Sequence, residues 1–402
     1  MMNVSFQFTR RSILFPVIMI IYFFIGCQPK MEYNKDLKYT LVADGDIDFD
    51  LDDESSMFMS HIQYYDFKEG KIFTFLNQFN NSIYIYDVEN NSFVESIPFD
   101  IEGPQGVGKI QGYSFLDRNT ISLIDTYRYK AIIFDISNKE FLSKKKELLF
   151  TSGKINSSNG FSTELDASIP WMSTYAPVIF GRQSNLWISA LPESSSKSTY
   201  ESSINVFHID KNDSLSKLSF FPPNMLGFHW EDGEMPRMAS NLDSSGVVVS
   251  YKYSNSIGVV DAENLKVTFT NPLGEFKETK LVFREYPTSM ESNERYINSY
   301  TVYALLSDPY RNVYYRIIEE PNFIEIEKDG ERKDSKRPIV QILDQDFILI
   351  GEVSLPNYEY LYNMCFVSEE GLMISQPKMD FKKMTIDENT LRFVVFKLKA
   401  IK

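Results

Sequence analysis

The residues best equipped for chemistry here are the carboxylates, three histidines and two cysteines, and their spacing decides what they can do. The run "DGDIDFDLDDE" (Asp44–Glu54) invites a calcium site. An EF-hand loop needs Gly at its sixth position and Glu at its twelfth. Counted from Asp44 those positions hold Phe49 and Ser55, so the loop fails. The alternation instead predicts a strand, with Ile47, Phe49 and Leu51 on one face and Asp46, Asp48, Asp50 and Asp52 on the other. That pattern suits an outer edge strand whose charges discourage pairing with other molecules. His61, His208 and His229 are too few and too scattered for a metal site, since such sites gather several nitrogen, sulfur or carboxylate ligands. Cys27 and Cys365 exclude a disulfide framework, and Cys365, inside an apolar run, reads as an inert core thiol. No nucleophile elbow, phosphate loop or zinc spacing is found, and carboxylates are too abundant to single out an acid and base pair. No catalytic residue, metal ligand or cofactor is therefore assigned.

Recognition chemistry is better represented. "FPPNMLGFHWEDGEMPRM" carries His229, Trp230, Glu231, Asp232 and Arg237 in one long loop. "TYRYK" contributes Tyr127 and Arg128, "SSNGFSTELDASIPWMSTY" contributes Trp171, and "YKYSN" contributes Tyr251 and Tyr253. Aromatic faces beside guanidinium groups suit sugars, peptides or anionic groups. Whether these side chains act together depends on the elements that carry them.

Those elements are strands. Aromatic residues make up 15% of the 402, a bias that favours half-buried pleated surfaces. With 41 basic against 55 acidic residues the net charge is -14, which disfavours nucleic acid as a partner. A unit recurs along the chain: strand, polar break, strand ending in an aspartate, turn, further strand. Its aspartate is Asp87, Asp135, Asp210, Asp261 or Asp344 in successive copies. A short carboxylate there can accept amides two residues on and close the turn. Asn90, Asn138, Asn212 and Asn264 would then supply left-handed backbone. An apolar segment before each copy, several joined by Glu-Gly turns, raises each unit to four strands. Six units of roughly 60 residues fit between Met57 and Lys402.

Four-stranded antiparallel units repeated radially make a β-propeller. The expected fold is thus all-β, a six-bladed propeller over residues 38–402. The sixth unit supplies three strands, and "KYTLVADGDIDFDLDD" is expected to complete it and close the ring. In such a ring the loops joining second to third strands, and fourth strands to the next unit, gather on one face. All the loop candidates above fall there.

Arg10 and Arg11 precede an apolar run, Ile13–Ile25, ending at "GCQPK". Its 13 residues would rise roughly 20 Å as a helix, short of the roughly 30 Å hydrocarbon core, as in a signal peptide. "FFIGC" resembles a bacterial lipobox, with Phe24 where Leu is usual, which implies lipid attachment at Cys27. Residues 1–26 are read as the signal and 27–37 as a tether. These segments together, with the "EGPQGVGKI" bend (Glu102–Ile110), resemble the uncharacterised six-bladed β-propeller lipoproteins of Bacteroidota, a domain-of-unknown-function family related in architecture to TolB-like and NHL-like propellers. The resemblance implies a lipid-anchored protein of the cell envelope, at the outer membrane, with its facing left open. The expected function is binding of a glycan, peptide or envelope protein at the loop face. The alternative is an envelope glycoside hydrolase or lyase acting at the same face.

Overall fold

The computed structural model describes residues 37–401, apart from 104–105, 139–141, 151–167, 182–184, 193–203, 231–234, 273–275, 278, 284–286, 327–331, 357–358 and 381–384. The proposed signal, the tether up to residue 36 and Cys27 lie outside the described residues, as do Glu231 and Asp232.

The chain folds as an all-β propeller. Four discrete sheets follow one another in sequence. The first holds Ser60–Phe67, Gly70–Asn77, Ser82–Asp87 and Ser92–Pro98. The second holds Gly112–Asp117, Thr120–Asp125, Lys130–Asp135 and Ser143–Leu149. In the third, two short segments, Ser168–Pro170 and Ile179–Phe180, share the innermost position against Leu186–Pro192, followed by Val206–Ile209 and Leu215–Leu218. The fourth holds Arg237–Ser240, Val247–Ser250, Ile257–Val260 and Val267–Thr270.

The expectation of six separate blades is corrected here. Apart from two short two-stranded ribbons, Phe323–Ile326 with Arg332–Ser335 and Met379–Asp380 with Thr385–Ile386, the remaining described strands form one eight-stranded sheet in the order Thr301–Asp308, Val313–Glu319, Pro338–Leu343, Leu349–Ser354, Tyr39–Asp50, Thr390–Ala400, Leu372–Ser375, Leu361–Val367. The fusion has a local cause. Tyr39 pairs in parallel with Gly351, and Lys38 N donates to Ile350 O at 2.7 Å. A Cβ on Gly351 would lie 2.4 Å from Tyr39 O, so only glycine lets the two backbones approach this closely. The edge strands of this sheet also face each other, with the Tyr303 and Tyr362 rings 4.9 Å apart edge to face, so it nearly closes on itself.

The Tyr39–Asp50 strand, expected as an outer edge, is flanked on both sides at its Tyr39 end. It runs antiparallel to Thr390–Ala400 from Tyr39 to Asp50, with a bulge between Ala43 and Asp46. Its aspartates are paired across the strands. Asp48 receives Arg392 Nε and Nη2 at 2.8 and 3.1 Å and Lys378 Nζ at 2.8 Å, and Asp44 meets Lys397 at 3.0 Å. The hydrogen bond from Arg392 holds the Asp48 carboxyl below its ordinary value. On the opposite face Phe49 enters a cluster with Phe73, Tyr86, Phe366 and Phe393, stacked on Phe73 at 5.0 Å. Similar clusters fill the space between successive sheets, so the core lies between blades.

All five repeat aspartates accept turn amides, four of them two residues on as the sequence implies and Asp87 three residues on. Amides of Asn90, Ser137, Asn212, Glu263 and Asp346 donate to the Oδ1 atoms of Asp87, Asp135, Asp210, Asp261 and Asp344 at 2.8–3.0 Å. The left-handed residue lies one position later than expected, at Asn91, Asp213 and Leu265 rather than Asn90, Asn212 and Asn264, and Asn138 is not left-handed.

Removing the N-terminal strand's anchors should unfasten the fold in proportion to what each buries. Phe49→Ala is expected to lower urea-measured stability by about 3–5 kcal/mol, and Arg392→Ala by about 1–2 kcal/mol. A Phe49→Ala loss below that of Arg392→Ala would contradict the packing assigned to this strand.

Candidate functional site

The loop face is the end where inner strands begin and second strands finish. Tyr127 and Arg128 follow the second strand of the second sheet, and Tyr127 is 69% exposed. Trp171 follows Pro170, is 45% exposed, and belongs to the same rim because Thr126 Oγ1 donates to Pro170 O at 3.0 Å. Asp125 is buried, and its Oδ1 accepts Arg128 N at 3.1 Å while its Oδ2 sits 3.6 Å from Arg128 Nε. Burial raises the Asp125 carboxyl above its ordinary value. The arrangement fixes the base of the Arg128 side chain and leaves half of it in solvent.

The other candidates are mostly committed to packing. Tyr251 is buried, donates to Phe220 O and accepts from Asn205 Nδ2, both at 2.6 Å. Trp230 and Tyr253 are buried beside Arg295, whose guanidinium lies 5.2 and 5.4 Å from their ring centres and 4.4 Å from Phe283. His229 makes a backbone bridge, its N donating to Phe283 O at 2.8 Å. Arg237 is buried over the Tyr175 ring at 4.6 Å and donates to Met235 O at 3.1 Å. The three histidines stand apart, His208 lying against Trp187 in the third sheet.

Two features escaped sequence reading. The first is residues Trp171–Val178, which interrupt the innermost strand of the third sheet and enter the channel as a tight turn, Ser173 bridging Ala176. This turn touches other sheets directly. Met172 O accepts His61 Nε2 at 2.9 Å and Thr174 Oγ1 accepts Ile62 N at 3.3 Å, both from the first sheet. Tyr175 O accepts Met238 N at 3.0 Å from the fourth. The Met172 side chain fills the space beside Gly112 of the second, where a Cβ would come within 2.8 Å. The Tyr175 ring meets Tyr303 of the eight-stranded sheet at 6.0 Å.

The second is a polar network around Glu319, which is buried. Its Oε1 accepts Tyr362 OH at 2.7 Å, and its Oε2 accepts Tyr296 OH at 3.0 Å and Thr301 Oγ1 at 3.2 Å. Lys336 Nζ lies 3.8 Å from Oε2 and donates to Tyr296 O, Ser299 O and Thr301 Oγ1 at 2.8–3.0 Å. Burial pulls the Lys336 ammonium down to about 8 and pushes the Tyr296 and Tyr362 phenols up. Lys336 caps the carbonyl end of the helix Ser289–Asn298, whose other end carries a capping box of Thr288 and Glu291. With both carboxylate oxygens and three ammonium hydrogen bonds engaged, this pair ties helix and sheet together rather than awaiting a substrate. The sequence did hold a signal for the helix, in the T-x-x-E spacing of "TSME".

His61 gives this end of the channel a pH dependence. Burial pushes its imidazole down to about 4 from 6.5. Between those pH values the unfolded chain binds a proton the folded chain refuses, so stability is full above 6.5 and falls until about pH 4. The loss is about 3 kcal/mol. His61→Asn, which tolerates the left-handed backbone at this position (φ 60°), should be less stable than wild type at pH 7 by an amount that shrinks on acidification to pH 4. Urea titrations across that range test this, and a pH-independent difference would refute it.

Two solved structures share the architecture. A protein of the DUF4221 family from Bacteroides vulgatus aligns with a TM-score of 0.69 at 22% identity, covering 91% of this chain and 100% of that one. A Bacteroides fragilis protein described as exported aligns with a TM-score of 0.54 at 12% identity, covering 92% and 98%. At these identities the likeness shows the fold alone. No curated protein matches the sequence. A family model matches residues 38–354, most of the length, and the chain belongs to that family, described as a domain of unknown function, DUF4221.

Proposed function

We propose that this protein is a non-catalytic binding propeller of the cell envelope, held to a membrane by lipid on Cys27, and that it takes a saccharide at the loop face. The observation that carries the reading is the Tyr127, Arg128 and Trp171 group. Two aromatic residues are exposed at one rim, Tyr127 by 69% and Trp171 by 45%, their loops pinned by the Thr126 to Pro170 bond, with a half-exposed guanidinium rooted on a buried carboxylate. Exposed rings on ordered loops offer flat faces to the C–H side of a sugar, and the guanidinium offers paired donors to hydroxyl or carboxylate oxygens. The lipobox-like "FFIGC" supports the anchor, and the export described for the Bacteroides fragilis neighbour agrees with an envelope location. No helix among the described residues is long and apolar enough to cross a membrane.

Two experiments test this. Cys27→Ala should move the protein from the membrane fraction to the soluble fraction, and retention after a high-salt wash would defeat the anchor. On a glycan array, the Cys27-lacking chain should retain a saccharide that Tyr127→Ala and Trp171→Ala each weaken at least tenfold, about 1.4 kcal/mol. Retention of no glycan, or undiminished binding by both variants, would defeat the loop-face reading.

A further inference from the structure

The channel has a second end, and its chemistry differs. A cavity of about 400 Å³ runs along the innermost strands of all five large sheets. Ile62, Thr174, Met238, Leu305 and Cys365 stand near the inserted turn, while Phe67, Phe180, Ser240, Ser307 and Val367 mark the far strand ends. The turn at Trp171–Val178 occupies the loop end, so the cavity communicates with the opposite face. From Ile62 to Phe67 the strand advances roughly 17 Å, which makes the space long and narrow.

Among the described residues that line this space there is no Asp, Glu, Lys, Arg or His. At the rim of this end Lys71 pairs with Glu369, Arg311 with Asp308 at 2.9 Å, and Asp66 accepts Tyr310 OH at 2.8 Å. Inside, aromatic and aliphatic walls from Tyr64, Tyr65, Phe67, Phe180 and Leu306 dominate. Uncharged polar groups sit at separated points. Gln63, Tyr65 and Ser114 form a linked set on one wall, Gln63 Nε2 donating to Tyr113 O at 2.6 Å and Tyr65 OH to Ser114 Oγ at 3.5 Å. Ser240 and Ser307 lie on two other strands at the opening. A charge placed here would lose its water without gaining a partner. A flat apolar molecule with one or two neutral polar ends would gain burial against the rings and keep its hydrogen bonds.

We infer that the channel, entered from the face opposite the loops, is a binding site for a neutral, flat, apolar small molecule of about two or three fused rings. The site is independent of the loop platform, since it shares no residue with Tyr127, Arg128 or Trp171.

The test uses the neutral naphthalene dye Prodan, whose emission shifts to the blue on leaving water. Saturable one-to-one binding with a blue shift is expected, displaced by neutral 2-naphthol and at least tenfold less well by 2-naphthalenesulfonate, the same rings with a charge. Ser240→Phe and Ser307→Phe fill the cavity from separate strands. With circular dichroism and melting temperature unchanged, each should weaken Prodan at least tenfold, while Tyr127→Ala leaves it unaffected. Absence of saturable binding, equal displacement by the sulfonate, or wild-type affinity in folded filled variants would overturn the inference. The competitor comparison needs no variant and decides the matter if neither filled chain folds.

Discussion

An innermost strand of a propeller has one edge paired within its sheet and the other facing the channel. Every second amide and carbonyl on that free edge needs a partner, from water or from chain that enters the channel, because a buried unpaired backbone group costs about as much as a lost hydrogen bond. Here the third sheet supplies that chain by breaking its own inner strand. The turn after Trp171 takes Ile62 N on Thr174 Oγ1 and Met238 N on Tyr175 O, and adds the His61 ring on Met172 O. Strands far apart in sequence are thereby fastened to one short segment. The neutral state of His61 follows from the same placement, since a buried imidazole bonded to a carbonyl has no water to stabilise its charge.

Closure of the ring rests on a different use of backbone. The chain's first described strand lies between strands from two later parts of the sequence, antiparallel to Thr390–Ala400 and touching Leu349–Ser354 through Tyr39 and Gly351. An open row of aspartates would repel, yet each of Asp44, Asp46 and Asp48 meets a lysine or arginine across the sheet. The charges that looked like protection against pairing specify one partner. The Glu319 network makes a second fastening within the eight-stranded sheet, drawing the strand that starts at Leu361 towards Val313–Glu319 through the Tyr362 hydroxyl.

Local devices were readable in the sequence. The period-two strands and the turn aspartates are set by residues a few positions apart, and all five aspartates accept turn amides two or three residues on. The joining of outer strands into one eight-stranded sheet was not readable, because it turns on a single close approach at Gly351 between segments some 300 residues apart in sequence. The candidate site was legible in composition but not in exposure. Trp230, Tyr251 and Tyr253 sit on the expected loops, yet neighbours such as Arg295 and Asn205, unremarkable in sequence, absorb them into the core. Tyr127 and Trp171 stay exposed.

The inserted turn also divides the channel's chemistry in two. On its outer side lie Arg128, Arg237, Lys252 and Lys336 among tyrosines, in a protein whose overall balance is strongly acidic. On its inner side the described residues of the cavity wall carry no charge. A charged ligand arriving at the loop face meets the half-exposed Arg128 guanidinium, where ion pairing is weak but desolvation is small. A ligand arriving from the other face must shed its water entirely, which selects for neutrality. With Met172, Thr174 and Tyr175 each bonded or packed to a different sheet, the partition cannot shift without releasing several of these fastenings together. The two ends are therefore better suited to different molecules than to passage of one molecule through the ring.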